Sequence, residues 1–282
     1  MTVEEIELEH QKDLRRLKGF RLLDDDFMKK VFEGDPRYIQ IVLRTVLKMP
    51  DLIVIHVETE VFVENLLYRS VRLDIVATDG SGRKFNVEIQ RADDGADPRR
   101  ARYHSSMLDA FILRKNRKYY DLPETWVIFI TEHDIFQDGC ALYQVERTIE
   151  GSGRKFQDGA HILYVNGAYR GDDDIGRLMH DFSCTNPDDM YDAVLAERAR
   201  FFKQSREGVE IMCKALEEMR DEYLQKGIRQ GIQQGEKNGE KKRAKEVASR
   251  MLRTGKYASD EIADMSGLTL AEVQNLSAEG IV

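Results

Sequence analysis

Between Val71 and Gln90 the chain alternates apolar and polar residues on both sides of a short glycine-containing turn. Alternation with period two marks a half-buried strand, because successive side chains leave a strand on opposite faces. In the first segment Val71, Leu73, Ile75 and Ala77 share one face, and Arg72, Asp74, Val76 and Thr78 share the other. In the second, Phe85, Val87 and Ile89 point one way, and Asn86, Glu88 and Gln90 point the other. The five residues Asp79-Gly80-Ser81-Gly82-Arg83 close the two into an antiparallel hairpin. Direct partners in such a ladder lie on one face. Keeping the apolar sets together therefore pairs Thr78 with Lys84, Ile75 with Val87 and Asp74 with Glu88. A slip of one residue would set Asp74 against Val87 and mix the faces.

That register brings two carboxylates together. Adjacent carboxylates repel, and one must rise in pKa unless a cation intervenes. A hard divalent ion removes the conflict, since Mg²⁺ takes oxygen ligands, commonly one or two carboxylates completed by water and substrate phosphate. Such an ion polarises a phosphoryl oxygen and acidifies water, which phosphodiester hydrolysis requires. Gln90, two residues beyond Glu88, projects from the same face, where it could orient water or contact a phosphate oxygen. The plainer alternative is a solvated face carrying two surface acids beside Arg72.

The flanking pattern predicts an α/β fold. Residues 1–20 read as a charged, loosely specified lead-in. A helix starts around Asp24-Asp25-Asp26, whose carboxylates suit a helix N-terminus, and is interrupted at Gly34. Asp35-Pro36 reads as N-cap and first residue of a second helix that stops at Pro50. Leu52 to Val57 is a strand candidate ahead of the hairpin. After Pro98 a helix turns Ala101, His104, Leu108, Phe111 and Ile112 inward and carries arginines on its other faces. Thr125 to Thr131 is apolar on both faces, as a buried central strand requires, and His161 to Val165 reads as a further strand. From about Asp188 the pattern turns helical. Gly227, Gly231, Gly235 and Gly239 then recur every four residues in a charged stretch, which fits either a close-packing helix seam or a flexible linker. The expected divisions are 1–20, a core over 21–205, a helix and glycine-repeat linker over 206–240, and a small helical module over 241–282.

Composition narrows the chemistry. A net charge of −8 argues against non-specific coating of nucleic acid, although a nuclease can confine basic groups to one rim. No apolar run is long enough to cross a bilayer. The three cysteines, Cys140, Cys184 and Cys213, show no metal-binding spacing, which fits a reducing cytoplasm. The histidines likewise lack ligand spacing and read as structural. There is no Gly-x-Ser-x-Gly elbow and no phosphate-binding Gly-x-x-x-x-Gly-Lys loop, which sets aside serine hydrolases and nucleotide cofactors.

Three segments, Asp24–Phe32, Arg72–Ala77 and Asn86–Arg91, together resemble the PD-(D/E)xK nuclease family transposases, also called recombination-promoting nucleases. Pro98–His104, Trp126–Thr131 and Asp158–Asn166 add to that likeness. The resemblance implies a restriction-endonuclease-like αβββαβ core with a mixed sheet and a helical C-terminal extension. It also implies Mg²⁺-dependent cleavage of DNA, with Mn²⁺ as an open alternative, in recombination or mobile-element biology. By that likeness Asp74 and Glu88 hold the metal, and Gln90 stands where the superfamily has lysine. Asp25 or Asp26 is the candidate third acid. Arg91 is a possible substitute cation, although an undistorted strand would turn it to the opposite face. Gln offers only dipoles where lysine would offer charge, so a catalytically weak DNA-binding or interaction module is the rival expectation.

Arg99, Arg100 and Arg102 are the leading candidates for DNA phosphate contacts, with Arg114, Lys115, Arg117 and Lys118 behind them. Their alternative is the solvated face of an amphipathic helix. The C-terminal helices are expected to join a homo-oligomer. The tail Ser259–Thr269 is similar to the start of a helix-turn-helix, but its acids suit packing or dimerisation better than DNA.

Overall fold

The computed structural model describes residues 3–65, 69–91, 93–113 and 116–278. The chain divides into two compact units, Met1–Leu216 and Glu217–Val282. In chain order the elements begin with α1 (Val3–Gly19), α2 (Asp25–Phe32), α3 (Pro36–Leu47), β1 (Val54–Val63), β2 (Val71–Asp79) and β3 (Lys84–Gln90). They continue with α4 (Pro98–Ile112), β4 (Thr125–Thr131), β5 (Leu142–Val145), β6 (Thr148–Ile149), β7 (Arg154–Lys155) and β8 (Ala160–Asn166). Then come α5 (Asp174–Ser183), α6 (Ala193–Gln204), α7 (Arg206–Thr254), α8 (Ser259–Ser266) and α9 (Leu270–Ala278).

The first unit is built on a six-stranded mixed sheet in the order β1-β2-β3-β4-β8-β5. β1, β2 and β3 run antiparallel, β3, β4 and β8 run parallel, and β5 returns antiparallel on β8. β6 and β7 form a separate two-stranded hairpin. This is the expected αβββαβ order, and the long helical C-terminal region is present as well. It is the architecture of a PD-(D/E)xK nuclease core.

Local chemistry explains the boundaries. Asp35 accepts a hydrogen bond from the Arg37 N–H at 3.0 Å, with Pro36 at the first helical position of α3. Asp97 does the same for the Arg99 N–H at 2.7 Å, with Pro98 opening α4. Each satisfies an amide that the helix start leaves without a partner. In the hairpin turn, buried Asp79 accepts from the Ser81 and Arg83 N–H groups, and Gly82 takes a left-handed φ of 87°. α4 packs Ala101, Met107 and Leu108 onto Val127, Phe129, Ile162 and Tyr164 of the sheet. Helices α2, α3 and α5 pack together, with Phe32 and Phe182 6.2 Å apart.

Three expectations are corrected. The lead-in is helical in α1, and Leu17 is buried, so this charged segment contributes an apolar contact to the core. α3 ends at Leu47 and not at Pro50, because Lys48 adopts a left-handed C-cap with φ 54°. β1 extends to Val63, well past Val57, as the edge partner of the whole of β2.

In the second unit Ala248, Ile262, Leu268, Val273 and Leu276 form a small core, and Gly267 closes α8 with φ 74°. The four-residue glycine repeat lies inside α7 and is helical. A Cβ at any of its four positions would meet open space. Among the described residues no helix is long and apolar enough to cross a membrane.

Candidate active site

The hairpin register runs from Thr78↔Lys84 through Ala77↔Phe85 and Val76↔Asn86 to Ile75↔Val87, as the apolar pattern requires. Its next step brings Asp74 to Glu88. There the backbone ladder gives way and side chains take over. The Ile89 N–H donates to Asp74 Oδ2 at 3.2 Å, and the Asp74 N–H donates to Glu88 Oε1 at 3.3 Å. Each acid thus satisfies an amide that regular pairing would have satisfied, and both are drawn into the gap between β2 and β3.

Glu88 is fully buried, on the row that continues through Phe129 and Tyr164 and is covered by α4. The solvated face considered for the hairpin is therefore a covered one. Asn86 donates through Nδ2 to Glu88 Oε1 at 3.0 Å. From α4, Arg100 Nη2 approaches Glu88 Oε2 at 3.5 Å, and Arg100 Nη1 donates to Gln90 Oε1 at 3.2 Å. Buried His104 places Nδ1 3.2 Å from Glu88 Oε1, outside hydrogen-bond alignment, and its Nε2 accepts from Arg100 Nε at 3.3 Å.

Burial first, then the Glu88 charge and then Asp25, push the Asp74 carboxyl well above its ordinary range, against the Ile89 N–H and Lys29. Of the two candidate third acids, Asp25 is the one that bears on Asp74, whereas Asp26 faces Arg16 at 3.6 Å. Lys29, one turn along α2 from Asp25, bridges Asp25 Oδ2 and Glu60 Oε1 at 2.9 Å each. Burial alone would lower the Lys29 ammonium, but those two hydrogen bonds and charges overcome it and hold its pKa above the usual lysine range.

Residues 29–167 match the model of the PD-(D/E)XK nuclease family transposases. This segment belongs to that family. Among curated proteins and among solved structures, nothing matches the chain.

The gap between β2 and β3 could hold a divalent ion, and the donors fit one. Two carboxylates converge in a buried setting, the ligand atoms are hard oxygens, and Asp74 Oδ1 accepts no hydrogen bond among the described residues. Gln90, which the sequence resemblance puts where the superfamily has lysine, turns its amide oxygen to Arg100. Arg91, weighed as a substitute cation, is drawn away to Asp24 at 3.0 Å and Glu132 at 3.3 Å. Of the arginines expected to grip DNA, Arg99 and Arg102 are exposed, while Arg100 turns into the site. Arg117 and Lys118 are exposed, and Arg114 and Lys115 lie outside the described residues.

Sequence reasoning missed Lys29, Glu60 and the role of His104. The signal for His104 was present, since it follows Arg100 by four residues and so shares a helix face with it. It also missed a cluster of metal-ligand type elsewhere, because ligand spacing was sought only among cysteines and histidines. His180, Asp181 and Cys184 bring ligand atoms within 4.8 Å of one another. Both Asp181 oxygens there are spent, accepting the Tyr191 and Asp192 N–H groups at 2.7 and 2.8 Å. Burial, then Asp181 and Asp189, also raises the Cys184 thiol and disfavours the thiolate a metal needs.

Proposed function

We propose that this protein is a Mg²⁺-dependent DNA endonuclease, with Mn²⁺ as an alternative ion, acting in recombination or mobile-element processes. The observation that carries the reading is the exchange across the opened ladder, in which Asp74 and Glu88 each hold an amide of the other's strand and face the same gap.

Asp74 and Glu88 would hold the ion. When bound, it would polarise a phosphoryl oxygen and acidify water. Gln90 would direct its free amide N–H groups toward water or phosphate, and Arg99 and Arg102 would contact backbone phosphates. In hydrolysis the water oxygen bonds to phosphorus, the bond from phosphorus to the 3′ oxygen breaks, and that oxygen takes a proton. The products would be a 3′-hydroxyl and a 5′-phosphate. The proposed setting is the cytoplasm, in keeping with three free cysteines. A homo-oligomer through α7 is part of the proposal. Leu224, Ile228 and Ile232 are exposed at four-residue spacing beside Gly227, Gly231 and Gly235, a self-complementary stripe for a second copy of the chain.

Nicking of supercoiled plasmid with Mg²⁺, by wild type, Asp74→Ala and Glu88→Ala, tests the reading. Loss of nicking in both variants supports it, and equal nicking in all three proteins refutes the site. The second reading is a binding module that keeps the fold without cleaving, and Gln90 in the lysine position favours it. DNA binding with no nicking in any of the three would establish that module.

A further inference from the structure

Gln90 leaves the site without the ammonium that the family pattern would put there. Arg100 is a cation on that side, and its placement is built. Gln90 Oε1 accepts from Arg100 Nη1, His104 Nε2 accepts from Arg100 Nε, and Glu88 Oε2 faces Arg100 Nη2. Three of the five guanidinium N–H groups are thereby committed, and two remain for a ligand. The side chain is 38% exposed and is anchored on α4.

A second observation concerns the wall behind Gln90. A Cβ at Gly95 would lie 2.2 Å from Gln90 Oε1 and 3.6 Å from Arg100 Nη1. Only glycine at 95 leaves room for the amide oxygen to sit where it meets the guanidinium. Arg91 is bound to Asp24 and Glu132, and Lys29 is bound to Asp25 and Glu60.

We propose that Arg100, clamped by Gln90 over Gly95, supplies the positive charge of the missing lysine to the phosphate being cleaved, with Gln90 as its positioning residue. This rests on the nuclease reading. A guanidinium presents paired N–H donors in a plane and so meets two phosphate oxygens at once, where an ammonium meets them as a point charge. Gln90 is then more than a lysine lost, because its oxygen is the acceptor that aims the arginine. A lysine at 90 would repel Arg100. The two arrangements are exclusive, which makes them exchangeable in an experiment.

The test uses the full chain and supercoiled plasmid with Mg²⁺, comparing wild type, Arg100→Ala, Gln90→Lys and the double variant Gln90→Lys/Arg100→Ala. Arg100→Ala is expected to lose roughly 100-fold or more in nicking rate, the scale for removing one stabilising donor at a developing charge. Gln90→Lys alone should also lose activity, and the double variant should regain at least tenfold over Arg100→Ala. The regained activity should fall at high pH, as a lysine with a pKa of about 10.4 discharges, where wild type shows no such fall. A readout without activity is melting of the metal-free protein carrying Gln90→Ala, Arg100→Ala or both, where the effects should be non-additive.

Arg100→Ala as active as wild type, a double variant no better than Arg100→Ala, or additive melting would each overturn the assignment. If Arg100→Ala does not fold, Arg100→Gln carries the same comparison. Wild type that nicks and loses nicking in Asp74→Ala, with Arg100→Ala unimpaired, overturns this assignment alone. Wild type that does not nick overturns the nuclease reading and this inference with it.

Discussion

Glu60 faces Asp74 across β1 and β2, yet the backbone pairing skips them. The pairs on either side, Thr59↔Ile75 and Val61↔Leu73, keep one register. Between them Glu60 adopts a left-handed φ of 57°, inside a strand and without glycine. Such a conformation costs roughly 1–2 kcal/mol for an ordinary residue, and persists where the surroundings over-determine it. Here they do, for the Glu60 carboxylate receives Lys29 at 2.9 Å and Arg72 at 3.2 Å.

Glu60→Gly should therefore separate stability from function. Glycine adopts the left-handed region freely, and the lost ion pairs are partly solvent-screened, so melting should stay within about 1 kcal/mol of wild type or improve on it. Nicking should fall several-fold, because Lys29 loses one of the two acceptors that fix it beside Asp25. Calorimetric melts alongside plasmid nicking check this, and a fully active Glu60→Gly protein would show that the kink serves packing alone.

Asp74 sets a pH dependence. Its carboxyl is raised in the fold, so the folded protein holds a proton over a range where the unfolded chain has released it. The stability this contributes is complete below the unfolded pKa of about 3.9 and is lost as pH rises through the folded value. Metal-free wild type should lose stability relative to Asp74→Asn as pH rises from about 4 through the raised folded value, and Mg²⁺ should narrow the gap. Melting curves of both proteins with and without the ion decide it, and a gap independent of pH would refute it.

Arg99 and Arg102 should act on DNA affinity more than on chemistry. Each Ala substitution is expected to weaken duplex binding measured with Ca²⁺, and to reduce the salt dependence of log K by about 1. An unchanged salt slope in both variants would return these arginines to the plain solvated face.

For the stripe on α7, Ile228→Lys with Ile232→Lys should shift the chain toward monomer in sedimentation equilibrium without loss of helix by circular dichroism. Gly231→Ala fits sterically within one chain, where it should stabilise the helix by up to ~1 kcal/mol. Weaker association in that variant would identify the glycine side as the contact. A wild-type chain that is monomeric throughout would remove the oligomer.

The parts of the site legible in the sequence were those fixed by a short-range rule. The register that brings Asp74 toward Glu88 follows from period two and the length of one turn, and the pairing from Thr78↔Lys84 to Ile75↔Val87 has that form. Arg100 was visible as a charge but not as a contact. Its approach to Glu88 depends on how α4 packs on the sheet, which no local pattern encodes. Lys29 and Glu60 come from two further elements and meet only through tertiary packing. The kink at Glu60 left no trace because left-handed backbone is signalled by glycine or asparagine, and here the residue is glutamate. α1 escaped notice because its charged residues outnumber the apolar ones that set a helical period. β5, β6 and β7 are too short to alternate.

The amide exchange across the opened ladder has a further consequence for how such a chain can change over time. Ile89 and Asp74 need an oxygen opposite their N–H groups whether or not any ion is present. Asparagine and glutamine supply that oxygen without the charge. Architecture and chemistry can thus be uncoupled by a single step at either position, and an intact sheet is no guarantee of a cutting one. A descendant that gave up cleavage would first replace acid by amide, keep its shape, and remain able to sit on the substrate it no longer breaks.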